Sequence, residues 1–250
     1  SFFQWPQNQL FLKRIFKRVP RLIVLAAVYA GFIIYLAASG AGKGRGSDYI
    51  SLSNQYLANM LPLLFGVIEL ISVFSEDFRA KTMQIAIGRG MERWQVVLCK
   101  FFELCILVVI DLLMMGIVVW IAGIFMSTGL SSGNIGDLFI DLFSVWLSVI
   151  SYGSLTMILI FYMQGTGTSI FLYLLLASNI LGILLDLLFT LPALSSMNID
   201  SFLLTGLLDD FTTALMKGSF SFPEFLGICA YTAAGLLFTT VLFDKRELEF

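Results

Sequence analysis

The chain has 250 residues, of which 58% are apolar and 13% charged, and its mean hydropathy is +0.92. Soluble domains carry charge on roughly a quarter of their residues, so this composition excludes that class and predicts a polytopic, all-α membrane protein. Lys and Arg number 15 against 17 Asp and Glu, which leaves no strongly basic surface for a nucleic-acid partner.

The first element is the segment QLFLKRIFKRVP. On a helical wheel Phe11, Leu12, Ile15, Phe16 and Val19 share one arc, and Lys13, Arg14, Lys17 and Arg18 share the opposite one, with Pro20 ending the run. This predicts a basic amphipathic helix over 1–21, lying on the inner membrane surface. An apolar run follows at 22–39. Its basic flank and the small residues AASGA after it also suit a cleaved signal peptide, but the run exceeds the about 7–15 residues of a signal core. A retained span is expected.

The stretch SGAGKGRGSDY at 39–49 imitates a phosphate-binding loop. Lys43 and Arg45 are each followed by Gly, whereas a P-loop needs four residues between its glycines, then Lys and Ser or Thr. It reads as an outer hairpin.

A second apolar window lies at 56–75, and after it comes SEDFRAKTMQIAIGRGMERWQVVLCK at 75–100. This predicts a short helix from Glu76, capped by Ser75, stopped at Gly88-Arg89-Gly90 and followed by a helix entering the third window. Phe78, Met83, Ile85 and Ile87 are expected to project from otherwise polar surroundings.

Further windows of about 20 residues, the length that crosses a bilayer as a helix, lie at 101–126, 138–163, 169–190 and 223–243. The segment 191–222 is too polar to span and too apolar for a plain loop. Small residues four apart, Ser178 with Gly182 and Ala230 with Ala234, suit close helix contacts. The single domain thus divides into 1–21, a six-span bundle over 22–243, and a tail over 244–250.

Of the 15 basic residues, 12 fall on one side of these spans and three, Lys43, Arg45 and Lys217, on the other. Lys and Arg are retained in the cytoplasm, so both termini are expected there. Arg21 counts among the twelve. Cys99, Cys105 and Cys229 have no metal-knuckle or disulfide spacing, and with no histidine the usual zinc and general-base residue is missing. No catalytic or metal site is predicted.

Glu69, Asp111, Asp141 and Asp186 fall inside predicted spans. A charge at the bilayer centre costs about 2.5–3.5 kcal/mol or more, so these acids should face protein or water. Two readings stand: a substrate path, or acids that lie near span ends or are hydrogen-bonded between helices. An aspartyl-protease dyad would need Tyr-Asp and Gly-x-Gly-Asp motifs, and the nearest approach, GNIGD at 133–137, lies in an outer loop.

In the loop after the second window, Glu76, Thr82, Gly88, Arg93 and Lys100 resemble the pattern of ABC type-2 permease subunits, especially small six-span permeases of bacterial peptide and drug exporters. The tail DKRELEF resembles that family's basic ending. The resemblance implies that the loop is a coupling helix, with Glu76, Phe78, Arg79, Thr82, Met83, Ile87 and Arg93 contacting a separate ATPase subunit. That partner would bind ATP and Mg, leaving this chain without a cofactor of its own. It also implies a second permease chain, identical or paralogous, a bacterial cell membrane with its lipid as setting, and short outer helices within 191–222. The acids favour a cationic amphipathic peptide as cargo. The alternative function is a membrane enzyme or ion-conducting protein using the buried acids without an ATPase.

Overall fold

The structure, a computed structural model, describes residues 19–39, 46–79, 83, 87–88, 90–125, 132–163, 165–180 and 203–245. These residues form seven helices and no strand: α1 Val19–Ala38, α2 Gly46–Arg79, α3 Arg93–Phe125, α4 Ser132–Met163, α5 Gly167–Ala177, α6 Leu204–Met216 and α7 Phe222–Lys245. The predicted helix over 1–21 lies almost wholly outside the described residues. Pro20 stands in the first described turn of α1, where a missing N–H removes no helical bond.

Three stretches are long and apolar enough to cross a membrane: Arg93–Phe125, Ile135–Met163 and Phe222–Lys245. Ile23–Ala38, Met60–Ser75 and Gly167–Ala177 are shorter apolar helices. The described residues are therefore helical, with three segments long and apolar enough to span a membrane.

Burial follows the role of each helix. On α3, Phe102, Ile106, Val109, Leu113, Ile117 and Ile121 are exposed, while Leu104, Leu107, Val108, Met115 and Val119 are buried. A helix apolar on both faces needs apolar surroundings on both. α4 is central: its residues 141–161 are mostly buried, and it touches α2, α3, α5, α6 and α7.

Side-chain pairs fix the directions. Trp146 Nε1 donates to the Cys105 carbonyl and the Leu104 side chain abuts Gly153, so α3 and α4 run antiparallel. Ser151 meets Thr232, Ser154 meets Gly235 and Phe161 meets Phe243, so α4 and α7 run parallel. In α7 the stripe packed inward is Ile228, Gly235, Thr239 and Phe243. The expected Ala230 and Ala234 contact is not what packs, because Ala230 is exposed. Gly182 lies outside the described residues.

α2 continues without interruption through Ser75 to Arg79, so the expected helix start at Ser75 does not occur. Nothing between 71 and 79 breaks a helix, and backbone bonding carries on where apolar character stops. The turn does fall where glycine was expected: Gly90 has φ +92°, a left-handed conformation that side chains disfavour, and its N–H bonds the Ile87 carbonyl at 2.9 Å.

Candidate functional site

The most polar buried cluster joins three helices. The Arg21 guanidinium, at the start of α1, donates through Nε to Glu69 Oε1 on α2 at 2.8 Å. Through Nη2 it donates to both carboxylate oxygens of Asp111 on α3, at 2.8 and 2.9 Å. Glu69 is 0% exposed, Asp111 3% and Arg21 7%. One guanidinium thus holds two acids from two neighbouring helices, and Tyr29, two turns along α1, donates its hydroxyl to the Asp111 carbonyl at 3.1 Å.

Above this cluster α1 lies on α2 through aromatic rings. Tyr29 meets Phe65 edge-on at 6.4 Å between centroids, and Phe32 and Tyr35 flank Tyr56 at 5.2 and 5.3 Å. α1 makes its main contacts with α2 and α3, through the Arg21 cluster, this ring stack and the buried side chains of Leu25, Val28 and Leu36.

Arg21 is the residue that sequence reasoning misplaced. Grouped with the basic residues that set orientation, it was expected at the membrane surface, yet it is inside the bundle. A buried carboxylate without a cation is costly enough to recruit one, and two lone acids in apolar runs near one Arg at the edge of another run were the available signal.

Asp141 is also buried, near the start of α4, and its Oδ2 has no donor among the described residues. It is not part of the Arg21 cluster. Asp186 lies outside the described residues. Of the four acids expected to share one path, the structure brings together Glu69 and Asp111.

The loop residues are placed differently from expectation. Met83 was expected to project, but it is buried in the hydrophobic core, and Ile87 packs half-buried against that core. In this single chain they are anchors that hold the turn to the bundle. Glu76, Phe78 and Arg79 belong to the last turns of α2, while Thr82 lies outside the described residues.

Arg93 begins α3 and reaches the end of α7. Its Nη1 donates to the carbonyls of Phe243 and Asp244, and its guanidinium stands over the Phe243 ring at 5.6 Å from the centroid. The last carbonyls of a helix lack intrahelical donors, so a guanidinium is a suitable partner there, and a cation also suits the helix dipole. Phe243 packs on Phe161 at 4.9 Å, and Phe161 on Phe74 at 5.7 Å. An aromatic column with Arg93 at one end therefore ties together α2, α3, α4 and α7 beside the turn. Lys100, two turns along α3, bonds Glu103 at 2.6 Å and reaches the Val73 carbonyl on α2 at 3.5 Å.

Among the described residues no group of His, Cys, Asp and Glu could hold a metal ion. No protein-family model matches this chain, and no curated protein does.

Proposed function

We propose that this chain is the transmembrane subunit of an ATP-driven exporter of the ABC type-2 kind. It forms half of the cargo path with a second permease chain in a bacterial cell membrane and is moved by a separate ATPase subunit that binds ATP and Mg. In this reading the six apolar windows make six crossings, α6 lies on the outer side, and both termini are cytoplasmic.

The observation that carries the reading is how the turn between α2 and α3 is tied down. A soluble partner can bias a membrane domain only through contacts that differ between its states, and force passes through a segment only when that segment cannot yield. Here Met83 and Ile87 hold the turn to the core, and Arg93 joins the start of α3 to the end of α7. Pressure on the turn would move three helices together. Phe78 and Arg79, at the end of α2, would then be the residues presented to the partner.

A cationic amphipathic peptide is the favoured cargo. Its electrostatic support rests on Asp141 and on exposed aspartates such as Asp137, Asp209 and Asp210, because Glu69 and Asp111 are already matched to Arg21.

The full chain, tagged and extracted in mild detergent from its native membrane, is expected to bring an ATPase subunit with it. Arg93→Ala should leave insertion and that association intact while lowering cargo-stimulated ATP hydrolysis by on the order of tenfold, equivalent to about 1.4 kcal/mol. A chain that purifies alone and transports without ATP would end the reading.

A further inference from the structure

The Arg21 cluster has an uneven count of charges. Arginine is always protonated in proteins, so with both acids ionised the cluster would hold a net charge of −1 among three apolar helices. The donors are uneven in the same sense. Asp111 receives a hydrogen bond on each oxygen and Glu69 on Oε1, but Glu69 Oε2, fully buried, meets no donor among the described residues.

The geometry presses the two carboxyl groups together. Nε and Nη2 are bonded to the same guanidinium carbon, so the acids they hold are immediate neighbours in space. Two adjacent carboxylates sharing one cation in a dry site leave one negative charge uncompensated, and an unpaired buried charge costs several kcal/mol. The arrangement is balanced if one of the acids is neutral. Asp111, met on both oxygens by Nη2, has the bonding of a carboxylate. Glu69 accepts on one oxygen and leaves the other able to bear a hydrogen.

We infer that Glu69 is a proton-binding site: in the packed arrangement of α1, α2 and α3 it carries one exchangeable proton on Oε2, making the Arg21–Glu69–Asp111 cluster neutral. Among the described residues, the ionisable groups that face the site are Arg21 and Tyr29 from α1, Glu69 itself from α2 and Asp111 from α3. The proton leaves when α1 moves and water reaches Glu69. Motion of α1 is thereby linked to release and uptake of one proton, independently of whether an ATPase drives it.

The test is infrared spectroscopy of the full chain in lipid nanodiscs at neutral pH, reading the C=O stretch of protonated carboxylic acid and its shift in deuterium oxide. The parent is expected to show a band that Glu69→Gln abolishes and Asp141→Asn leaves in place. Asp111→Asn should abolish it too, because the remaining acid is then matched one-to-one by Arg21 and ionises. Glu69→Gln, a neutral isostere of the protonated acid, should keep the parent's thermal midpoint. A parent without the band, or a band whose intensity neither Glu69→Gln nor Asp111→Asn lowers, would overturn the assignment. So would a midpoint for Glu69→Gln as low as that of Arg21→Ala, or a parent whose stability depends on sodium over choline, which would place a metal cation where the proton is assigned.

Discussion

α1 and α7 both pack against a neighbouring helix along one side, yet those two interfaces are built in opposite ways, the charged link of α7 to Arg93 being confined to its end. α7 lies on α4 through small residues: a Cβ on Gly235 would come within 3.0 Å of the Ser154 backbone, so the two backbones are nearly in contact. Its hydroxyls bond mainly inside their own helices, Thr239 to the Gly235 carbonyl at 2.7 Å and Ser154 to the Ser151 carbonyl at 2.8 Å. α1 instead adds to its buried Leu25, Val28 and Leu36 a buried guanidinium and a few rings. Close packing has no alternative state to favour, because any displacement loses contact area. A charged attachment can be weakened by a change of protonation or by water. α4 and α7 are therefore held as one packed unit, whereas the attachment of α1 depends on the charge state of its site.

The strongest way to break this contrast is to remove the cation. Arg21→Ala leaves Glu69 and Asp111 buried without their donor, a loss of the kind that costs about 3–5 kcal/mol. Reversible unfolding of the full chain in mixed micelles should register that loss. Arg21→Lys should recover part of it only, since an ammonium is a point charge without the fork that holds two acids at once. An Arg21→Ala protein as stable as the parent would mean that α1 is held by its rings and buried apolar side chains alone.

How much of this was legible beforehand follows from the nature of each signal. Hydropathy is a property of single residues summed over a window, so the long helices α3, α4 and α7 were readable from composition alone. Helix ends were less so: α2 begins ten residues before its apolar window, because Gly46 to Gln55 bond as helix without being hydrophobic. The Gly90 turn was readable because a positive φ selects glycine. The Arg21 cluster was not, since its members stand 48 and 90 residues apart along the chain, and a lone charge does not say which lone charge it will meet. Met83 was misjudged for a related reason. An apolar residue among polar ones looks the same whether it faces a partner or folds back into its own core.

The packed side of the comparison is sharpened by two glycines. At Gly66 on α2, an added Cβ would fall within the Tyr173 ring of α5, whose hydroxyl donates to the Pro62 carbonyl. Gly66→Ala must therefore displace a fully buried ring and break a buried hydrogen bond. Gly235→Ala meets backbone and hydroxyl atoms at 3.0–3.1 Å, which a small separation of α4 and α7 relieves. Overpacking of this kind costs about 1–3 kcal/mol, with Gly66→Ala at the upper end and Gly235→Ala at the lower. Unfolding midpoints in the same micelles give the order, and Gly235→Ala as the more damaging change would mean that α7 is gripped more tightly than the α2–α5 contact.

The smallest expected effect is the most specific to the α4–α7 interface. Thr232 on α7 places Oγ1 3.4 Å from Ser151 Oγ on α4, a contact that looks like a hydrogen bond between spans. Both hydroxyls already have closer acceptors in their own helices: Thr232 bonds the Ile228 carbonyl at 3.0 Å, and Ser151 bonds the Leu147 carbonyl at 2.7 Å. Each hydroxyl has one hydrogen to give, and each gives it locally. Thr232→Val keeps the branched shape that fills the interface and removes only the hydroxyl, so it should change stability by no more than about 0.6 kcal/mol, the average for hydrogen bonds between spans. Combined with Ser151→Ala it should be additive, because no shared bond is lost twice. A coupling energy of 1 kcal/mol or more between the two would show that the α4–α7 interface, like the α1 site, depends on a polar link between helices, and the distinction between the two interfaces would fall.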